Sequence, residues 1–176
     1  MHGDSLMDNS VKNVFSNHFP SCVSKSYRQL WGNDETFYNG PGFGIPTIGI
    51  GRSMHREYHY NTDNLESVNK HSVKESFWGL SRLLGSLEED YIPVLKYKGP
   101  LCLSRYGLYI DPTRDPEGYK NIEHMQNYVN GSRSCMDIAT KLDIDFYFVK
   151  GFFDKAYEKG MISKLDRAPI ESDRGS

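Results

Sequence analysis

The sequence predicts an α/β protein, a sheet-and-helix domain followed by a small winged helix-turn-helix module. Three observations carry this. Short apolar stretches at Val23–Leu30 and Thr47–Ile50 have strand character, a long amphipathic helix runs from Asn69 or Ser72 to about Glu89, and three helical segments with a turn near Asp143 fill the last third.

Taken in order, Asp4 or Ser5 can cap a first helix, Leu6 to Asn17, with Leu6, Val11, Val14 and Phe15 at helical spacing. Val23–Leu30 alternates loosely and reads as a strand. Thr47–Ile50 is apolar enough for a central strand, with a glycine-rich loop around Pro41 between the two. The next helix puts Val73, Phe77, Leu80, Leu84 and Leu87 on one face, the pattern of a core-facing stripe, and Pro93 is expected to stop it. Gly99 and Pro100 break the next stretch into short extended pieces ending at Leu108–Ile110. Pro112 and Pro116 mark a linker.

The last third reads as a helix over Glu117–Val129 ended by Asn130-Gly131, and a second helix capped by Ser134 and carrying Met136, Ile138, Ala139 and Leu142. A third begins at Asp145, turns Phe146, Val149, Phe152, Phe153 and Ala156 inward, and stops at Gly160 before a wing strand at Met161-Ile162. The expected division is therefore 1–110, a linker at 111–116, a winged-helix domain at 117–167 and a frayed tail at 168–176.

Composition narrows the function classes. The chain has 176 residues, 38% hydrophobic and 25% charged, with a formal charge of −2, which fits a globular protein and offers anionic partners no general attraction. Between Pro116 and Arg167 eight basic residues meet eight acidic ones, whereas a helix entering a DNA groove needs positive excess. That balance favours a docking or dimerisation module over a nucleic-acid reader. No apolar run approaches the roughly 18 residues of a membrane span, and the amino terminus lacks signal-peptide character, so a cytoplasmic protein without membrane partners is expected. Cys22, Cys102 and Cys135 are scattered, with no pairing that suggests a disulfide framework or a cysteine zinc site.

The segment with the most chemistry runs from Gly32 to Leu65. Asp34-Glu35, Tyr38 and Pro41-Gly42-Phe43 precede Glu57-Tyr58-His59, and Asp63 follows His59 by four positions. An imidazole can ligate a metal through one nitrogen while a nearby carboxylate accepts from the other ring N–H. This order resembles the late part of the catalytic domain in family 28 zinc metallopeptidases, the group of bacterial leucyl-type aminopeptidases and glutaminyl cyclases. It resembles more closely the aminopeptidase-like proteins of bacterial polysaccharide-biosynthesis clusters (DUF4910 or DUF2172 type), and Gly99-Pro100-Leu101 through Gly107-Leu108-Tyr109 extends the likeness. Asn33 and Tyr60 depart from the pattern, which has Ser and Thr there.

The resemblance implies a partial zinc-aminopeptidase-like (phosphorylase/hydrolase-like) domain followed by a winged helix. It also implies metal-assisted hydrolysis of an N-terminal peptide or amide bond in the intact protein. His59 would be a zinc ligand, at about 2.0–2.1 Å. Asp63 would orient it or cap the next helix. Asp34 and Glu35 would grip a cationic amino terminus or form a solvated turn, and Tyr38 and Tyr58 would wall a specificity pocket or pack locally. Arg52 and Arg56 flank the site, and His55-x-x-x-His59 falls in a Gly-flanked loop rather than a helix, so it is not read as a helical zinc pair. The remaining ligands and the general base are expected upstream, so no catalytic residue is assigned, and the chain reads as a carboxyl-terminal part that is silent alone. An upstream half or a homo-oligomeric partner is expected. A non-catalytic interaction module is the alternative, and a DNA-binding regulator is a weaker one.

Overall fold

The computed structural model describes residues 5–26, 29, 32–52, 57–99 and 101–167. Helix α1 spans Leu6–His18 and opens with a capping box in which the Ser5 hydroxyl accepts from the Asp8 N–H while Asp8 reaches back to Ser5. A one-turn helix α2 (Glu35–Tyr38) lies in a long irregular stretch, followed by a 3₁₀ turn at Leu65–Ser67. Helix α3 spans Lys70–Glu88 and starts at Asn69, whose side chain accepts from the His71 and Ser72 N–H groups.

Strand β1 (Tyr91–Leu95) follows directly, then a 3₁₀ turn at Leu103–Tyr106. Helices α4 (Pro116–Tyr128), α5 (Cys135–Leu142) and α6 (Phe146–Glu158) come next, and strand β2 (Ile162–Asp166) completes the order. β1 and β2 pair antiparallel from Tyr91↔Asp166 to Leu95↔Ile162.

The helix starts follow local chemistry. Pro116 occupies the first position of α4, where its missing N–H costs nothing, and Asp115 accepts from Gly118 N–H at 2.8 Å. Ser134 and Asp137 form a second capping box on α5. The α5–α6 turn is made by Asp143 in the left-handed region (φ 55°, ψ 46°), a conformation that short polar residues tolerate.

One hydrophobic core forms around α5 and α6. Phe146, Val149, Phe153 and Ala156 of α6 meet Met136, Ile138 and Ala139 of α5, with Ile122 and Met125 of α4, Tyr91 of β1 and Ile162 of β2 closing it. Asp154 ties α6 to the sheet by accepting from Tyr91 Oη (2.9 Å), Lys150 Nζ (2.7 Å) and Lys164 Nζ (2.6 Å). Arg167 closes the far end of β2 by donating to Asp90 Oδ2 (2.9 Å) and the Ser134 hydroxyl (3.0 Å).

The expected boundary at 110–117 is crossed from both sides. β1, placed by sequence in the first domain, pairs with β2, and Asn13 of α1 hydrogen-bonds to the α5–α6 turn.

Several expectations change. Val23–Ser26 and Thr47–Ile50 form no strand, and residues 27, 28 and 30 of the first stretch lie outside the described residues. A strand needs a neighbour to satisfy its N–H and C=O groups, and β1 with β2 is the only sheet among the described residues. The expected α/β sheet is therefore replaced there by a helix-rich fold with one small two-stranded sheet. Pro93 does not stop α3, which ends at Glu88; it sits inside β1 opposite Lys164.

Most of the stripe expected to be core is the outer face of α3: Val73 is 55%, Phe77 73%, Leu80 43% and Leu84 58% exposed, and Leu87 alone of the set is half-buried. α3 instead buries Gly79, Leu83 and Ser86. Small residues let α1 approach closely, and a Cβ on Gly79 would come within 2.9 Å of the Phe19 ring. Expectations for the tail 168–176 and for Pro100 fall outside the described residues.

Candidate functional site

The candidate site is built from two turns that precede α3. In the first, α2 starts after Asp34, and Glu35 Oε1 accepts from Asn33 N–H at 2.8 Å. The turn is closed by Asn39, whose amide donates to Thr47 C=O (2.6 Å) and accepts from Thr47 N–H (2.9 Å), while Ile45 N–H donates to Tyr38 C=O (3.0 Å). This double clasp holds Pro41–Gly44 as a protruding loop. Phe37 packs at a tilt against Phe43 at 4.7 Å and edge-on against Tyr38 at 5.6 Å, so these exposed rings pack on one another. Asp34 and Tyr38 are exposed and Glu35 is half-buried.

The second turn carries His59. Its φ of 68° puts a non-glycine residue in the left-handed region, where histidine is one of the more tolerated types. Tyr58 packs against it at a tilt, with ring centroids 4.0 Å apart. Tyr60 N–H donates to Glu57 C=O and Asp63 N–H to Tyr60 C=O, so the chain coils tightly around an exposed imidazole. Asp63 Oδ1 accepts from the Ser67 hydroxyl at 3.3 Å. The caps go to other residues: Asn64 caps the 3₁₀ turn and Asn69 caps α3, so Asp63 caps neither. An asparagine amide one position before a helical turn makes the same cap as aspartate, which is why composition did not distinguish them.

Arg52 reaches α3, donating to Glu75 Oε2 and forming an ion pair there, which fastens the loop before His59 to the helix. His55 and Arg56 lie outside the described residues. The Asn39 clasp and the Arg52–Glu75 pair were not anticipated. Asn39-Gly40-Pro41-Gly42 carried the turn signal for the first, whereas a pair 23 positions apart leaves no local pattern.

A catalytic zinc site needs about three protein ligands. Among the described residues no group of three or more His, Cys, Asp or Glu side chains comes together, so these residues do not by themselves fit a catalytic zinc. They do present one exposed imidazole held by its backbone, an acidic turn and a set of outward-facing aromatic rings. Among them, too, no helix is long and apolar enough to cross a membrane.

Relatives give this arrangement a setting. The chain is 27% identical over 168 residues to a Clostridium acetobutylicum protein named "Putative polysaccharide biosynthesis protein with aminopeptidase-like domain", covering 88% of this chain and 37% of that protein. A crystal structure described as that of a "putative peptidase" from Clostridium acetobutylicum superposes with a TM-score of 0.69 at 23% identity, over 93% of this chain and 37% of the other, which shows a shared fold. The chain thus spans little more than a third of the length of the relatives it matches. The family described as "Domain of unknown function (DUF4910)" matches residues 1–90, the stretch that holds α1, both turns of the candidate site and α3, and the chain belongs to that family.

Proposed function

We propose that this chain is the carboxyl-terminal part of an aminopeptidase-like hydrolase that cleaves an N-terminal peptide or amide bond of a small substrate. In this reading His59 is one ligand of a zinc ion whose other ligands lie outside the described residues, and the chain is inactive alone. The observation that supports it best is the His59 turn. An exposed imidazole on a left-handed backbone, with no second and third donor beside it among the described residues, lies within a stretch similar to a protein named for an aminopeptidase-like domain. Asp63 orients the ring, while Asp34 and Glu35 hold the substrate's amino group by charge-assisted hydrogen bonds. Tyr38 and Tyr58 wall the pocket. A role in polysaccharide biosynthesis belongs to the same reading, taken from the relative's name, and a cytoplasmic location is proposed with it.

The finer fold reading goes with it. α4–α6 with β1 and β2 form a winged helix, α5 and α6 being the helix-turn-helix pair and β2 the wing. Asp154 engages both Lys150 and Lys164, and His18 and Arg82 face Asp145, so these four basic groups near α6 are held by acids. The module is thus read as a docking element.

The test is zinc content and release of an amino acid from an aminoacyl amide. One sample is the chain alone. The other is a fusion of the chain to the unaligned part of the Clostridium protein, replacing the segment it aligns with. The chain alone is expected to hold no stoichiometric zinc and to hydrolyse nothing, whereas the fusion does both. His59→Asn, which keeps a residue tolerant of the left-handed turn, removes zinc from the fusion. A fusion whose zinc is indifferent to His59→Asn sinks the assignment.

A further inference from the structure

The chain contains two Asn-Gly pairs, Asn39-Gly40 and Asn130-Gly131, and the fold treats them in opposite ways. An asparagine followed by glycine is open to attack by the next backbone nitrogen, because glycine has no Cβ to shield it. The attack then depends on whether that nitrogen and the side-chain amide are free, and on what stabilises the carbonyl oxygen as it gains charge.

At Asn39 the reacting groups are held. Nδ2 donates to Thr47 C=O at 2.6 Å, Oδ1 accepts from Thr47 N–H at 2.9 Å, and Gly40 N–H donates to Phe37 C=O at 3.0 Å. Space around Gly40 is also closed, since a Cβ built there would lie 2.9 Å from the Phe37 carbonyl oxygen.

At Asn130, in the exposed turn between α4 and α5, the balance is reversed. Its Oδ1 accepts three hydrogen bonds of 3.0 Å, from Ser132 N–H, the Ser132 hydroxyl and Arg133 N–H. Backbone N–H groups only donate, so the oxygen of the side chain and not its Nδ2 faces them. Gly131 has a φ of 79°, and a Cβ placed on it would meet nothing within 4 Å. Among the described residues no hydrogen bond holds its N–H. Three donors thus converge on a carbonyl oxygen beside an unheld nucleophile.

We propose that Asn130 is a self-modification site, converted in the folded chain to aspartate and isoaspartate with water as the only co-reactant. Gly131 N loses its proton to hydroxide and bonds to Asn130 Cγ. The negative charge that develops on Oδ1 is met by the two N–H groups and the Ser132 hydroxyl, as in an oxyanion hole. The Cγ–Nδ2 bond then breaks, Nδ2 takes a proton from water and ammonia leaves, giving a succinimide. Water opens that ring at either carbonyl. The aspartate product keeps an acceptor in the turn and adds a negative charge. The isoaspartate product adds a methylene to the main chain and withdraws the acceptor from Ser132 and Arg133. Arg133 also donates to Tyr128 C=O at 3.3 Å, so the change falls on the join between α4 and α5. No metal and no part of the His59 turn is involved, and the site stands or falls apart from the hydrolase reading.

The test is an ageing experiment on the full chain at mildly alkaline pH. Peptide mapping that separates the asparagine, aspartate and isoaspartate forms follows Asn39 and Asn130 over time. The same measurement is made on the chain in urea and on a synthetic peptide of residues 126–136. In the folded chain Asn130 is expected to convert at least tenfold faster than Asn39, and faster than in the peptide. In urea the two sites are expected to convert at similar rates. Ser132→Ala, an exposed change that removes one of the three donors, is expected to slow Asn130 at least twofold in the folded chain. Conversion of Asn130 no faster than in the peptide, an Asn39 that keeps pace with it, or an equal difference between the sites in urea would each overturn the proposal.

Discussion

Asn13 and Phe146 are joined by a buried hydrogen bond of 2.8 Å across 133 positions of sequence, from the Phe146 N–H to the Asn13 side-chain oxygen. The same amide donates to Ile144 C=O at 2.7 Å. One side chain of α1 thereby satisfies two backbone groups at the start of α6 and fixes the family-matched stretch to the helical module. Asn13→Ala leaves both groups buried and unpaired, which costs about 1–3 kcal/mol each at most. Urea unfolding is expected to show a loss of at least about 1 kcal/mol, with α1 exchanging faster.

The two faces of the hydrophobic pattern differ in energetic weight. Phe153 is fully buried in the core, and Phe153→Ala is expected to destabilise the chain by about 3–5 kcal/mol. Leu84 on the outer face of α3 is exposed, and Leu84→Ala is expected to stay within about 0.5 kcal/mol. Equal losses in chemical denaturation would show that α3 buries its outer face in solution.

The Asp154 cluster sets a pH dependence. Partial burial raises the affinity of this carboxyl for a proton, but hydrogen bonds from Lys150, Lys164 and Tyr91 outweigh it and hold the carboxyl below its ordinary range. A depressed folded-state value contributes stability that is present above the unfolded value of about 3.9 and lost as pH falls through the folded one. Lys150 is shifted the other way: burial lowers it, and its bonds to Asp154 and Glu89 more than compensate and raise it. Its contribution is present below about pH 10.4 and lost as pH rises through the folded value. Asp154→Asn is therefore expected to lower the melting temperature at pH 7 and to shrink its fall below about pH 4.

The three thiols are expected to react in sequence. Cys102 is exposed and its thiol is pulled below the ordinary value by the Ser104 hydroxyl and the Arg105 N–H, so it reacts first with iodoacetamide near neutral pH. Cys22, also exposed, follows. Cys135 is buried, and desolvation together with the Asp90 charge drives its thiol strongly upward, so it reacts only on unfolding. Peptide mass mapping over time checks the order; early modification of Cys135 would show that the α5–β1 contact opens in the folded state.

The helices were legible because their signals are local. Ser5, Asn69, Ser134 and Asp145 precede apolar repeats of helical period, Gly160 follows one with φ 73°, and α1, α3, α4, α5 and α6 fall within about one or two residues of where these signals put them. The inward set of α6, Phe146, Val149, Phe152, Phe153 and Ala156, was readable for the same reason and is buried.

Local pattern alone specifies the amphipathic helices, their caps and the inward faces of α5 and α6, since each depends on residues within a turn or two of one another. The tertiary packing settled which of two plausible faces of α3 is covered: Gly79 lies under the Phe15 ring of α1 and the Phe19 ring that follows it, with Leu83 and Ser86 buried on the same side, while Val73, Phe77, Leu80 and Leu84 stay exposed. It also decided that Thr47–Ile50 is not a strand and that Tyr91–Leu95 is one. A strand exists only where a second backbone satisfies its hydrogen-bonding groups, and for Tyr91–Leu95 that partner, Ile162–Asp166, lies far along the chain, beyond three intervening helices.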